Sequence, residues 1–398
     1  MIRLVRCPTM PAAVLLALAA ALPQEPPAPR SSRDGLEFAS ADGAWSLEVH
    51  GKLQMDFARF DADRSLRRAA GEFRDSGEVR RSRLDLSGRA LGELGWRVSA
   101  DFRQDSGAEL RDVYLETAVP GAGTLRAGHF KQPFSLENRA SSSTFAFFER
   151  SVANELAPGR DAGLMLFDGW GDGRGTWAAG AFHETHSDAF GVDSADTRDR
   201  SLTGRLTWLP VDEDDGARLV HLGAALSHRD PDPAGVSFSE RAEAHLGQKL
   251  VSASYPADRV EQLGLEAAAV FGSTSAQMEW NQTWLAGGGG PSPTLTGGYL
   301  QLSQLLTGEV RGYKRKEGVF GRIEPRSPLS RDDGLGAWEL AARVSRLDLA
   351  AGDRLDVWSL ALNWHWTERV KLQLGFLRGD AAGAGAVDTW MFRLHLDW

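Results

Sequence analysis

The sequence predicts an all-β chain, a transmembrane antiparallel β-barrel of roughly fourteen to sixteen strands, on three observations. Over the last nine residues, large apolar side chains recur at every second position: Trp390, Phe392, Leu394, Leu396 and Trp398. Met391, Arg393, His395 and Asp397 alternate with them, so one face is greasy and the other mostly polar. Such a period-two segment suits a strand between lipid and a watery lumen. The same rhythm returns along the whole chain, and no stretch after residue 30 approaches the ~18 apolar residues of a membrane helix. Many of the thirteen tryptophans, finally, fall near strand ends (Trp45, Trp96, Trp208, Trp284, Trp338, Trp366, Trp398), as the aromatic girdles of a barrel require. A soluble sandwich would call for more branched aliphatics and fewer charges alternating through its strands.

Taken in order, Arg3 and Arg6 precede the apolar run Met10–Leu22, and Ala19-Ala20-Ala21 offers a small-residue cleavage site. Residues 1–21 read as a secretory signal, 22–43 as a linker or N-terminal segment, and 44–398 as the barrel. A frayed N-terminal helix would need a polar face that this run lacks. The only cysteine, Cys7, lies ahead of the apolar run, so the exported chain would contain neither disulfides nor thiolate metal sites.

The first clear strand sets Trp45, Leu47, Val49, Gly51, Leu53, Met55 and Phe57 against Ser46, Glu48, His50, Lys52, Gln54 and Asp56. Trp96–Phe102, Ala276–Trp284, Trp338–Val344 and Trp358–Trp366 repeat it. Weaker segments lie near 80–88, 111–119, 123–130, 162–168, 175–183, 201–209, 218–228, 261–271, 298–306 and 368–378. Compact turns such as Gly92-Glu93-Leu94-Gly95 and Pro120-Gly121-Ala122-Gly123 alternate with long links at 58–79, 134–160, 184–200, 229–244 and 308–334. Short turns at one rim and long loops at the other are expected of a barrel.

Net charge is −9 and mean hydropathy −0.31, values that polar loops and an aqueous lumen explain as readily as solubility does. Against that acidic background, Arg64 to Arg83 holds seven arginines and three acids, a local charge of +4. Arginine forks suit phosphate or carboxylate oxygens, and in a pore cationic rings select anions. The same stretch could be a solvated loop or pair with lipid phosphates outside. Nucleic acid is excluded as a partner by the expected compartment.

Other motifs carry less. His183-Glu184-Thr185-His186 lacks the spacing of a helical zinc site. Gly169–Gly175 and Gly287–Gly290 are followed by no helix that could cradle phosphate. Asp212-Glu213-Asp214-Asp215 has no organised calcium loop. Neither a metal nor a cofactor is expected.

The run Gly128-His129-Phe130-Lys131-Gln132-Pro133-Phe134-Ser135-Leu136-Glu137 is followed by Ser141-Ser142-Ser143-Thr144-Phe145, Phe148-Glu149-Arg150 and Pro158-Gly159-Arg160-Asp161. With Leu306-Thr307-Gly308-Glu309, Tyr313, Gly336–Arg343 and Leu362-Asn363-Trp364, it resembles the phosphate-selective porin O and P family in the right order. The resemblance implies a sixteen-stranded outer-membrane barrel, usually a homotrimer, with loop 134–160 folded into the lumen as a constriction. It makes Lys131, Arg139, Arg150 and Arg160 candidates to meet a permeating anion such as phosphate, with Glu137, Glu149 and Asp161 as ion-pair partners. Arg59, Arg81 and Arg83, in and just ahead of the basic stretch, join them. The implied function is passive diffusion of small hydrophilic solutes with an anion bias. A barrel enzyme using Ser227-His228 or Ser359 with His365, and a blocked adhesive barrel, are the alternatives.

Overall fold

The computed structural model describes residues 30–32, 35–102, 107–185, 199–232, 235–290, 292–329 and 333–398. The expected signal segment lies outside them, as does His186 of the histidine pair. Sixteen antiparallel strands form the wall. They are β1 (Ser46–Ala62), β2 (Ser76–Ala90), β3 (Leu94–Asp101), β4 (Glu109–Val119), β5 (Gly123–Lys131), β6 (Arg160–Trp170), β7 (Gly175–His183) and β8 (Arg200–Glu213). There follow β9 (Arg218–Asp230), β10 (Arg259–Phe271), β11 (Thr274–Ala286), β12 (Thr294–Leu305), β13 (Ala337–Asp348), β14 (Arg354–His365), β15 (Val370–Ala381) and β16 (Gly385–Asp397). Each pairs with the next, and β16 closes on β1 from Val387↔Ala62 to Asp397↔Lys52. Closure leaves no unpaired edge, the condition for a sheet to stand in lipid.

The alternation seen in the sequence sorts side chains between two solvents. On β16, Trp390 (56%), Phe392 (38%) and Leu394 (36%) are exposed on the outside, while Met391 (1%), Arg393 (0%), His395 (2%) and Asp397 (3%) are buried inside. A water-soluble protein would invert this pattern. Outside is therefore the lipid side, and the polar face lines the lumen. Among the described residues no helix is long and apolar enough to cross a membrane.

The C-terminus completes the wall. Trp398 exchanges backbone hydrogen bonds with Gly51, and a Cβ on Gly51 would run into the indole ring. Within the N-terminal segment, Arg30–Ser32 pairs with Gly35–Ala39, which in turn pairs with the start of β1 (Leu36↔Val49). This hairpin occupies the edge of β1 beyond the end of β16.

One rim carries tight turns, exemplified by the two-residue connection Gly272-Ser273, where Gly272 takes φ 58°. The other carries long loops. Two links differ from expectation. The connection after β9 runs from 231 to 258 and folds its own hairpin, Val236–Arg241 against Lys249–Tyr255. The connection 306–336 is long but leaves from the turn rim and folds inward, so the long loops are not confined to one rim.

Candidate anion-conducting lumen

The loop 132–159 turns into the lumen directly after Lys131. A short helix, Leu136–Arg139, starts at Ser135, whose Oγ accepts the Asn138 N–H at 3.0 Å. Its free Leu136 and Glu137 amides donate to the Glu279 carboxylate on β11 at 3.0 and 2.7 Å, which seats the helix against the wall. The apolar run Phe145-Ala146-Phe147-Phe148 packs on small residues of the facing strands, Ala341, Ala361 and Gly375.

The loop's acids pair with the wall. Glu149 receives Arg80 (2.7 and 3.0 Å), Arg81 (2.9 Å) and Arg393 (3.1 Å), and Glu137 receives Arg343 (3.0 Å) and Ser151. Arg80 and Arg81 are sequence neighbours, yet both reach inward. A β-bulge makes this possible: Gln54 pairs with Arg81 and Met55 with Val79, leaving Arg80 as the extra residue. Glu137, Glu149 and Asp161 are thus not the partners of Lys131, Arg139, Arg150 and Arg160. Asp161 instead accepts from Gln132 and the Thr185 amide.

Lys131 donates to the carbonyls of Asn138 and Ala140. Arg150 donates to the carbonyls of Glu137 (3.0 Å), Asn138 (3.1 Å) and Ala140 (3.2 Å), and its guanidinium lies 4.8 Å from the Phe145 ring centre. Arg139 Nη1 donates to the Lys131 carbonyl at 3.4 Å. Among the described residues none of these three cations has a carboxylate oxygen within 4.0 Å. Burial and the nearby guanidinium groups of Arg205 and Arg126 draw Arg139 down to about 10, and burial draws Arg150 to about 10. Both stay charged at neutral pH.

Arg160 forms a bidentate pair with Asp112 at 3.0 and 3.1 Å. Arg81 also donates to Gln54 at 2.6 Å, and Arg83 pairs with Asp101 at 2.9 Å. Arg59 is the exception among the sequence candidates. It pairs across from Trp390 and stands exposed on the outward face, because its position has the parity of Phe57 and Met55 rather than of Asp56. It is not a lumenal residue.

Three arginines of β3 to β5 are among the wall residues that escaped the sequence reading. Arg97 pairs with Asp85 (2.8 Å), Arg111 with Glu109 (2.5 Å) and Arg126 with Glu116 (2.6 Å). With Arg83 and Arg160 they form a row across β2 to β6, each half-buried and compensated by one carboxylate. The inward parity of Arg97 was visible in the sequence. That of Arg111 was not, since an irregular register between Val98 and Ala100 precedes it.

The opposite half of the lumen is filled. From the turn rim, loop 306–336 places Arg311 against Glu339, Tyr313 against His221 (2.6 Å) and Arg315 against Asp212 (2.6 and 2.7 Å). Its Val319 and Phe320 meet Leu136, Ala140 and Phe145 of the first loop. Nearly all inward residues of β8 to β16 are buried, whereas Arg83, Arg97, Arg111, Tyr114, Glu116 and Arg126 on β2 to β5 remain partly open. Water therefore reaches the arginine row.

The residues offered for the enzyme alternative make other contacts. Ser227 faces inward, bonded to Thr203, while His228 faces outward between Glu261 and Asp230. Ser359 donates to Glu243, and His365 lies 3.3 Å from Glu339.

Residues 47–386 match the family described as phosphate-selective porin O and P. The chain belongs to this family. It is an outer-membrane porin, a channel-forming barrel. It is 24% identical to Porin O of Pseudomonas aeruginosa over 87% of this chain and 86% of that one. An uncharacterised protein of Caulobacter vibrioides is 28% identical, covering 95% and 77% of the two chains. Among solved structures, OprB of Pseudomonas putida superposes with a TM-score of 0.57 at 8% identity, over 90% of this porin and 95% of that chain. The outer-membrane channel DcaP of Acinetobacter baumannii gives 0.54 at 10% identity, over 92% and 100%. These likenesses concern the fold.

Proposed function

We propose that this porin is a passive, anion-preferring channel whose selectivity resides at Lys131, Arg139 and Arg150, with Arg160 and the row of Arg83, Arg97, Arg111 and Arg126 leading through the pore. The observation that carries this reading is the imbalance at the constriction. Each arginine of the row has its own carboxylate, whereas Lys131, Arg139 and Arg150 meet carbonyls and, among the described residues, have no carboxylate oxygen within 4.0 Å. An uncompensated positive charge in a narrow, partly desolvated passage favours anions and repels cations. Carbonyl contacts hold the cations in place without neutralising them, so an anion can bind and leave again.

No catalytic step is required; the gradient drives transport. Phosphate is a fitting solute because its oxygens accept from lysine and arginine together. The porin is further proposed to assemble as a homotrimer, as OmpT of Vibrio cholerae does in its trimer form.

The test is the reversal potential of single channels in a potassium chloride gradient. Chloride preference is expected, and Lys131→Ala with Arg139→Ala and Arg150→Ala should bring the anion-to-cation ratio close to one. A cation preference in the unmodified porin would overturn the reading. Reduction of chloride current by added phosphate would establish phosphate binding.

A further inference from the structure

The inward face of β4 to β7 breaks the polar character of the lumen. Phe130, Met165 and Phe182 form a buried cluster there, and Tyr114, Phe167 and Ala178 pack onto it. Parity places all of them inside: Arg126 pairs with Glu116 on one side and with Met165 on the other, and their outward neighbours Leu115, Leu125 and Leu164 are lipid-exposed. Arg126 spans the patch, its guanidinium carbon 4.0 Å from the Tyr114 ring centre and 5.0 Å from that of Phe167. Phe130 directly precedes Lys131 in the chain, and Arg139 is near enough to Arg126 to feel its charge. The apolar patch therefore lies under Arg126 and adjoins Lys131 at the end of β5.

Tyr114, Phe167 and Ala178 remain partly open to the lumen. Residues serving only to fill space would be covered, as Phe130 and Met165 are. A hydrated inorganic ion gains nothing from such a wall, because an aromatic surface cannot replace its hydration shell. An anion with an apolar body gains twice: its charged head meets cations while its body leaves water for the rings.

We propose that the patch is a subsite for amphiphilic organic anions, carboxylates or phosphate esters carrying an aromatic or aliphatic body. The head group sits at the Lys131 and Arg139 end, and the body lies on Tyr114, Phe167 and Ala178. The proposal rests on the anion-channel reading and adds a class of solute to it.

Benzoate and acetate carry the same head group, so their permeability ratio from reversal potentials in planar bilayers isolates the apolar body. A pore that only sieves must pass the larger benzoate more slowly, giving a ratio below one. A ratio above one is expected for this porin. Phe167→Ser combined with Tyr114→Ser should lower it about threefold, the effect of losing a few tens of Å² of apolar contact. Phe167→Leu should preserve it. Phenyl phosphate against phosphate should follow the same order. A ratio below one in the unmodified porin, or a ratio unmoved by the serine variants, overturns the proposal. Chloride-to-potassium selectivity, measured on the same channels, reports separately on the anion reading and should stay unchanged in these variants.

Discussion

Arg393 and Asp56 form a bidentate ion pair across the seam where the last strand meets the first, with Nε–Oδ1 at 2.5 Å and Nη2–Oδ2 at 2.6 Å. Both side chains are fully buried. The same guanidinium reaches Glu149 of the inserted loop at 3.1 Å, so barrel closure and loop placement share one residue.

Arg393→Ala leaves Asp56 buried without a partner and releases one of three clamps on Glu149. Loss of one member of a buried pair costs roughly 3 to 5 kcal/mol. Urea unfolding in detergent should show a lower midpoint, and the folded, heat-modifiable band in gel electrophoresis should vanish at a lower temperature. A midpoint equal to that of the unmodified porin would show that lumenal water compensates Asp56.

Glu149→Gln keeps the shape of the loop acid and removes its charge. Arg80, Arg81 and Arg393 then lose their common counterion beside the passage. Anion-to-cation permeability should rise, and the loop, held by weaker neutral hydrogen bonds, should fluctuate more, seen as increased open-channel noise. A fall in anion preference would contradict this assignment.

The loops 132–159 and 231–258 meet at two carboxyl groups that lie outside the spanning strands. Burial pushes Glu155 up to about 7, and burial with the neighbouring Glu155 pushes Glu240 up to about 8. Their ordinary value is 4.5, so the folded state binds protons that the unfolded state releases. Their contribution to loop packing is fully present below about pH 4.5 and is lost as pH rises through 7 to 8. Protease cleavage within 231–258 should accelerate between about pH 6 and pH 9. Glu240→Gln should flatten that dependence; an unchanged profile would place the pH response elsewhere.

The strands and their two faces were legible in the sequence because alternation is a local property. A residue such as Asp56 or Arg393 faces inward because its parity is opposite to that of Phe57 or Phe392, whatever it pairs with. The inserted loop was implied, as 134–160, by the family resemblance that the ordered motifs carry. Arg59 shows where this reading slipped: its charge suggested the lumen, while its parity already assigned it outward.

The sequence by itself determined a lipid-facing cylinder and the inward set of polar residues. Only the tertiary structure decided which charges cancel. Glu149 meets Arg80 and Arg81 through a bulge, and Arg393 only because β16 closes on β1 in one register. Loop 306–336 enters from the turn rim and fills one side, leaving the arginine row open. Ion pairing depends on distances of a few ångströms between residues hundreds of positions apart, and no local pattern along a chain encodes such separations.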